Sequence, residues 1–117
     1  MTEAFFDGHP SSLAVFRAVQ DVVTGLGPVT MRTSKSQVAF ARRRGFAYLW
    51  LPGRWLRKPA AETVLSIALA RHDQSARWKE VAHPSGRVWM HHLEVQQASE
   101  IDDAVADWLR EAYEGAT

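Results

Sequence analysis

The sequence predicts an α+β fold, in which a mostly antiparallel sheet of about five or six strands is combined with a helix at each end of the chain. Near both termini, apolar residues recur at steps of three and four, the spacing of one helix face. Between these segments the apolar period changes to two, which is typical of strands, and the connections are short. We expect both helices to cover one face of the sheet, giving a two-layer sandwich.

The two predicted helices have recognisable ends. The first begins near Pro10 and ends before Gly27 and Pro28, because a left-handed cap and a proline stop a helix. The second is preceded by Ser99, and Asp102 follows three residues later in an acidic variant of the capping box. Its apolar face comprises Ile101, Val105, Trp108, Leu109 and Ala112.

Six segments between the helices are predicted as strands. They cover residues 29–33, 37–42, 46–51, 63–70, 77–82 and 87–96. In the third segment Phe46, Tyr48 and Trp50 fall on one face, and a tight hairpin connects it to the second. The stretch 53–62 is basic and is predicted to be the longest loop.

Size and composition favour one domain that spans residues 1–117. The 117 residues are 46% apolar and 23% charged, ordinary values for a globular domain that can bury a core without cross-links. The absence of cysteine excludes disulfides, zinc–thiolate sites and cysteine nucleophiles. No apolar run approaches the roughly 18–20 residues that span a bilayer, and the N-terminus lacks signal-peptide features. We therefore expect a cytoplasmic protein with no membrane partner.

Charge is segregated along the chain, although the formal net charge is only +1. No acidic residue occurs between Asp21 and Glu62. That interval holds Arg32, Lys35, Arg42, Arg43, Arg44, Arg54, Arg57 and Lys58. From residue 88 onward the balance reverses, and Arg110 is the single cation among seven carboxylates. A surface of one sign selects its partners by charge, so the basic segment predicts an anionic ligand.

Several motifs are spread over nearly the whole chain. They are Gly27-Pro28-Val29, Thr33-Ser34-Lys35-Ser36-Gln37-Val38-Ala39-Phe40, Arg43 to Phe46-Ala47, Arg77-Trp78-Lys79, His91-His92-Leu93, Ile101-Asp102-Asp103 and Trp108-Leu109-Arg110-Glu111-Ala112-Tyr113. Together they resemble a bacterial family of small α+β domains of unknown function. The resemblance implies the fold and supplies no catalytic residue. The layout is also similar to that of frataxin-like iron-chaperone-related domains, but here the acidic ridge that an iron carrier needs is confined to the C-terminal helix.

The first candidate binding surface is the predicted hairpin tip with Arg42 and Arg44. Guanidinium groups bind phosphate oxygens in pairs, and the nearby ring of Trp50 suits stacking on single-stranded bases. Nucleic acid is therefore one predicted partner. The alternatives are a solvated turn, or a basic sheet edge that balances the acidic C-terminal helix within the same molecule.

A second candidate centres on Lys35, which lies between two serines and offers an ammonium group and two hydroxyls to a carboxylate or phosphate. Alternation along the fifth predicted strand places Arg77 and Lys79 on one face and Trp78 on the other. With Lys35 they would form one anion pocket across the sheet. The alternatives are a turn lysine and an edge strand protected by charge.

The adjacent residues His91 and His92 point to opposite faces of the last strand, so they cannot easily chelate one ion. His91 shares an apolar face with Trp89 and Leu93 and is predicted to be a core histidine. His92 shares its face with Glu94 and is the better functional candidate, as a proton carrier. Metal-ligand spacing, a phosphate loop and a dinucleotide fingerprint are absent from the sequence, so no metal or cofactor is predicted.

These features predict a non-catalytic binding module for an anionic ligand, either a carboxylate or phosphate metabolite or a nucleic-acid backbone. The predicted ligand-binding residues are Lys35, Arg42, Arg44, Arg77, Lys79, His92 and Trp50. No catalytic residue is assigned. One open alternative is a small enzyme that uses Lys35 or His92 in acid–base chemistry. Another is a protein–protein module, in which a homodimer pairs the basic sheet with the acidic helix of its neighbour.

Overall fold

The structure, a computed structural model, describes residues 2–51 and 62–117. The helices are α1 (Pro10–Thr24) and α2 (Asp103–Gly115), and 3-10 turns occupy Thr2–Phe6 and Ala98–Glu100. The strands are β1 (Thr30–Thr33), β2 (Val38–Ala41), β3 (Gly45–Trp50), β4 (Thr63–Leu69), β5 (Glu80–Ser85) and β6 (Val88–Val95). The predicted basic loop lies outside the described residues except for Glu62. Of the helices in the described ranges, none is long and apolar enough to cross a membrane.

The strands of the described residues form one six-stranded sheet in the order β1-β2-β3-β4-β6-β5. Every neighbouring pair is antiparallel. Strands β1 to β4 follow one another as a meander, whereas β6 inserts between β4 and β5 and leaves β5 at the far edge. The predicted α+β fold, with an antiparallel sheet and a helix near each chain end, is confirmed.

The core lies between the helices and one face of the sheet. Helix α2 contacts β3 and β4, and α1 contacts α2. Inward-facing residues such as Leu65 and Ile67 of β4 join Val19 of α1 and Leu109 of α2 in one buried cluster. Burying each such side chain stabilises the fold by about 1.5–3 kcal/mol, so this face holds most of the apolar stabilisation.

The N-terminal 3-10 turn adds two aromatic residues to this core. Phe5 and Phe6 are both buried, and the Phe6 ring stacks on Phe16 of α1 with centroids 5.2 Å apart. Phe16 in turn stacks on Phe40 of β2. The sequence did not predict this turn, because two adjacent phenylalanines follow neither the helix period nor the strand period.

The predicted fifth strand begins too early. Residues 77–79 precede β5, so strand alternation does not set their side-chain directions. The Arg77 amide donates to Ser75 Oγ, and its guanidinium group donates to Asp102 at the start of α2. These contacts hold the segment beside the helix and delay its entry into the sheet.

The start of α2 also differs from the prediction. The N-cap residue is Asp102 and not Ser99, since the Asp102 carboxylate accepts the Val105 amide proton at 3.2 Å. A separate capping box closes the preceding 3-10 turn, where the Glu100 carboxylate accepts the Gln97 amide proton. Two short elements are therefore capped in succession, which the single predicted capping box did not anticipate.

Phe46 departs from the predicted alternation of β3. Phe40 pairs with Ala47 and Ala41 pairs with Gly45, so Phe46 is an extra residue at an irregularity in the β2–β3 ladder. Its ring is 1% exposed and packs edge-to-face on Tyr113 of α2. The expected shared face with Tyr48 and Trp50 is wrong for Phe46, because the irregularity redirects its side chain to the helix side.

Candidate functional site

The face of the sheet opposite the core carries a row of side chains in register. Tyr48 of β3 pairs with Ser66 of β4, and Ser66 pairs with His92 of β6. His92 pairs in turn with Glu80 of β5. Directly opposed residues have Cβ atoms about 4.5–5.5 Å apart, so their side chains can touch across three strand boundaries. We call this side the outer face and define it by Tyr48, Trp50, Ser66, Met90 and His92.

Ser66 is the centre of a hydrogen-bonded chain on the outer face. The indole Nε1–H of Trp50 donates to Ser66 Oγ at 3.1 Å, and Ser66 Oγ lies 2.7 Å from Nδ1 of His92. An indole can only donate, so the serine oxygen accepts in the first bond. The hydroxyl proton of Ser66 is then available for a bond to His92.

The protonation of His92 follows from its surroundings. Burial lowers the pKa of His92 below its ordinary value of 6.5, and the negative charge of Glu80 offsets part of that effect. The imidazole is therefore neutral near pH 7. A neutral imidazole has two tautomers; in the one that carries its hydrogen on Nε2, Nδ1 accepts the Ser66 hydroxyl proton and Nε2 acts as a donor.

A cavity of about 490 Å³ opens beside this chain. It is lined by Ser36, Gln37, Tyr48, Trp50, Ser66, Met90 and His92. Two aromatic rings and a thioether form its apolar walls, while hydroxyl, amide and imidazole groups supply polar contacts. Among the described residues that line it, none carries a formal charge near pH 7. Cavities of this size and mixed lining hold small ligands.

One wall of the cavity depends on Gly45. A Cβ atom at this position would overlap the hydroxyl of Tyr48. Any other residue would force the tyrosine ring to move, because the Tyr48 ring folds back over the start of its own strand. Tyr48 and Met90 also border a second cavity, of about 480 Å³, beside the C-terminal end of α2.

The neighbouring histidine, His91, is held on the core side. It is 0% exposed, its Nδ1–H donates to the Trp89 carbonyl at 2.9 Å, and its Nε2 accepts the Asp73 amide proton at 2.9 Å. A carbonyl only accepts and an amide only donates, so both ring nitrogens have fixed roles. Burial lowers the pKa of His91 below 6.5. The prediction that His91 is a core histidine is confirmed.

The hairpin arginines lie against the end of α2. Arg42 Nη1 donates to the Tyr113 carbonyl at 3.3 Å, and its guanidinium carbon lies 4.5 Å from the centroid of the Tyr113 ring. Arg44 Nη2 donates to the Gly115 carbonyl at 2.7 Å. Carbonyls at a helix C-terminus carry partial negative charge, so these contacts stabilise the helix end. This geometry favours the alternative in which the basic hairpin balances the acidic helix; ligand binding by these arginines stays a prediction.

The expected convergence of Arg77, Lys79 and Lys35 on one pocket is wrong. Arg77 Nη1 lies 3.0 Å from both carboxylate oxygens of Asp102, and this hydrogen bonding lowers the pKa of Asp102. Lys79 Nζ lies 4.0 Å from Glu94. Lys35 is in the turn between β1 and β2, at the opposite edge of the sheet from β5. With neighbouring strands about 4.8 Å apart, the sheet separates Lys35 from the other two.

The part of the chain that the structure describes has no cluster of side chains that could hold a metal ion. No group of three or more histidine, aspartate or glutamate side chains there is close enough to hold an ion. His72 and His83 instead stack on the indole of Trp89, with ring centroids 5.0 and 3.6 Å away. These histidines therefore contribute to a surface aromatic cluster.

A family model described as a domain of unknown function (DUF5655) matches residues 1–116. The chain belongs to this family. Membership of an uncharacterised domain family was predicted from the motifs and is confirmed, whereas the bacterial origin and the frataxin-like similarity stay predictions. Neither a curated protein nor a solved structure matched the chain.

Two predicted ligand-binding residues of this DUF5655 domain, Trp50 and His92, meet at the cavity through Ser66. Lys35 adjoins the cavity in sequence, because the next residue, Ser36, lines it. The predicted aromatic and histidine residues thus lie together at the cavity, whereas the predicted arginines lie elsewhere in the structure.

The sequence prediction missed Ser66, the residue that joins the other two. A signal was present: Ser66 interrupts the apolar run of β4, and strand alternation puts it on the face opposite Leu65 and Ile67. Tyr48 was placed on the correct face but was not among the predicted ligand-binding residues. In the DUF5655 domain both residues line the cavity.

Proposed function

We propose that this DUF5655 domain is a binding module for a small molecule that combines a flat apolar group with a carboxylate or phosphate. The observation that carries the proposal is the hydrogen-bonded chain of Trp50, Ser66 and His92 at the wall of a cavity of about 490 Å³. Ligand cavities pair apolar walls with a few convergent polar groups, and this site has both.

The apolar part of the ligand would lie against the aromatic wall. Tyr48 and Trp50 are half-buried and occupy alternate positions of β3, so their side chains stand on the same face. Aromatic rings give planar groups a large contact area with little loss of side-chain entropy. The thioether of Met90 can adjust to the shape of the ligand.

The polar lining favours a ligand with oxygen acceptors. His92 presents a ring N–H, Gln37 a side-chain amide and Ser36 a hydroxyl, all of which can donate. Carboxylates and phosphates accept several such bonds at once.

The charges around the cavity indicate where an anionic group would be placed. Glu80 is the cross-strand partner of His92, and Glu94 lies two residues farther along β6 on the same face. Both carboxylates therefore lie at the β5–β6 side of the outer face. The other side of the cavity is formed by Ser36 and Gln37, next to Lys35. The anionic group is expected at this side, where repulsion from the carboxylates is weaker.

Benzoate and phenyl phosphate are suitable probes, because each joins a flat ring to an anionic group. We expect a dissociation constant on the order of 1 mM for molecules of this size. Benzyl alcohol has the ring without the charge and should bind more weakly. Isothermal titration calorimetry measures all three affinities on the same protein preparation.

A matched pair of histidine variants tests whether benzoate binds at His92. His92→Gln should weaken benzoate binding by about tenfold or more, because it removes a ring donor and breaks the bond to Ser66. His72→Gln makes the same change in the surface aromatic cluster and should leave the affinity unchanged. The proposal fails if His92→Gln binds benzoate as the wild-type protein does, or if Arg42→Met is the variant that loses it.

A further inference from the structure

The pair formed by Ser66 and His92 has the geometry of an activated serine. Their side-chain atoms are 2.7 Å apart, within the 2.6–3.2 Å range in which a base can take a proton from a nucleophile. The imidazole is neutral near pH 7, and Nδ1, which faces the hydroxyl, is the acceptor in the tautomer that carries its hydrogen on Nε2. We infer that Ser66 accepts an acyl group from an ester bound in the outer-face cavity, with His92 as its general base.

This inference rests on the proposed function, because the acyl donor would occupy the same cavity as the ligand. It also narrows the ligand class. If the acyl group is aromatic, the product of its hydrolysis is an aromatic carboxylate, which is the kind of molecule that the cavity lining favours. The substrate class is therefore an ester of an aromatic carboxylic acid.

A third group lies in register with the pair. Glu80 is the cross-strand partner of His92, so Ser66, His92 and Glu80 follow one another across β4, β6 and β5. When His92 takes the serine proton it becomes a cation, and a neighbouring carboxylate stabilises that state. Glu80 is a positioning and electrostatic residue in this scheme, since it acts through the imidazole.

Trp50 also contacts Ser66 and positions its hydroxyl group. Its indole N–H donates to Ser66 Oγ, which fixes the oxygen at the cavity wall and directs the hydroxyl proton to His92. The side-chain amide of Gln37 lines the same cavity and can donate to a carbonyl oxygen that gains negative charge. The cavity therefore holds a nucleophile, a base and a candidate oxyanion donor.

The chemistry balances without a co-reactant other than water. Ser66 Oγ bonds to the ester carbonyl carbon as its proton passes to Nδ1 of His92, giving a tetrahedral intermediate. The bond from carbon to the leaving oxygen then breaks, and the leaving alcohol takes the proton from Nδ1. Water attacks the acyl–Ser66 ester with His92 again as base, which releases the carboxylic acid and restores the serine.

The reagent p-nitrophenyl benzoate tests this step directly. After incubation with the wild-type protein, peptide mass spectrometry should find one benzoyl group on Ser66, with release of p-nitrophenolate. Ser66→Ala should lose this labelling. Ser99→Ala, at an exposed serine outside the outer face, should be labelled at the wild-type rate.

The dependence of the acylation rate on His92 shows whether this residue acts as a general base or has only a structural role. In the wild-type protein the acylation rate should rise with pH through the pKa of His92, below 6.5, and then level off. His92→Gln should slow acylation on the order of 100-fold and remove this pH dependence. A structural role for His92 would change the yield of folded protein without removing the pH profile.

The outcomes distinguish the two proposals. Benzoylation of lysines with Ser66 unmodified overturns the inference, as does an undiminished rate in His92→Gln. If benzoate binds in the cavity while Ser66 stays unmodified and no p-nitrophenolate is released, the binding module stands and the nucleophile does not. If Ser66 is acylated but benzoate does not bind, the nucleophile stands and the assigned ligand class is wrong. The label is mapped on the wild-type protein, so the result does not depend on whether Ser66→Ala folds.

Discussion

The two faces of the sheet use the same kind of residue in different ways. His91 and His92 are neighbours in β6, and burial lowers the pKa of both. His91 bonds to backbone groups, the Trp89 carbonyl and the Asp73 amide, and packs in the core. His92 bonds to the Ser66 side chain beside an open cavity.

The two histidines differ in whether a ligand can reach their hydrogen-bond partners. Both partners of His91 are backbone groups, one in β6 and one in the segment between β4 and β5, so the bonds of His91 tie these two parts of the fold together. The Ser66 hydroxyl and the second nitrogen of His92 are at a cavity wall, where a ligand can compete for them. Burial alone therefore does not identify a functional histidine; the identity and location of its partners do.

Replacing each histidine by alanine should give the largest difference in stability between the two faces of the sheet. His91→Ala leaves the Asp73 amide without its partner and opens a cavity in the core, so we expect a loss of about 2–4 kcal/mol in the free energy of unfolding. His92→Ala loses one half-buried hydrogen bond and should cost about 1 kcal/mol. Urea denaturation followed by circular dichroism measures both. Equal losses would remove the distinction between the two faces.

Acid should weaken the fold through the same histidines. Both have a lower pKa in the folded protein than the 6.5 of the unfolded chain, so the unfolded chain binds more protons as the pH falls. Their contribution to stability is complete above pH 6.5 and decreases as the pH falls from 6.5 through their folded-state pKa values. Denaturation curves between about pH 7.5 and about pH 5 check this direction.

The variant His92→Gln shows how much of the acid-induced fall in the free energy of unfolding comes from each histidine. It removes one of the two titrating groups, so the fall in the free energy of unfolding should become shallower without disappearing. The remaining slope belongs to His91. A slope of zero in this variant would mean that His91 does not titrate differently in the folded and unfolded chains.

Much of the fold followed from local periodicity. The apolar spacing near Leu13 to Val23 and near Val105 to Leu109 predicted the helices, and alternation predicted the strands and the opposite directions of His91 and His92. These features depend only on neighbouring residues, which the sequence displays directly.

The contacts between distant segments could not be predicted in this way. The sequence does not contain the strand order, so it could not reveal that β6 inserts between β4 and β5 and keeps Lys35 far from Arg77. It also did not indicate that Phe46 leaves the ladder, or that Arg42 and Arg44 meet carbonyls of α2. Ser66 was overlooked because a hydroxyl within an apolar strand is most simply interpreted as a core residue.

We expect ligands of this domain to bind on the outer face and not at the basic hairpin. The direct measurement is a benzoate titration followed by two-dimensional ¹H–¹⁵N NMR, with attention to the indole N–H signals. The signals of the Trp50 indole and of the Tyr48 and Ser66 amides should shift progressively, while the signal of the Trp108 indole should not. Shifts confined to Arg42, Arg44 and the end of α2, with Trp50 unmoved, would contradict it.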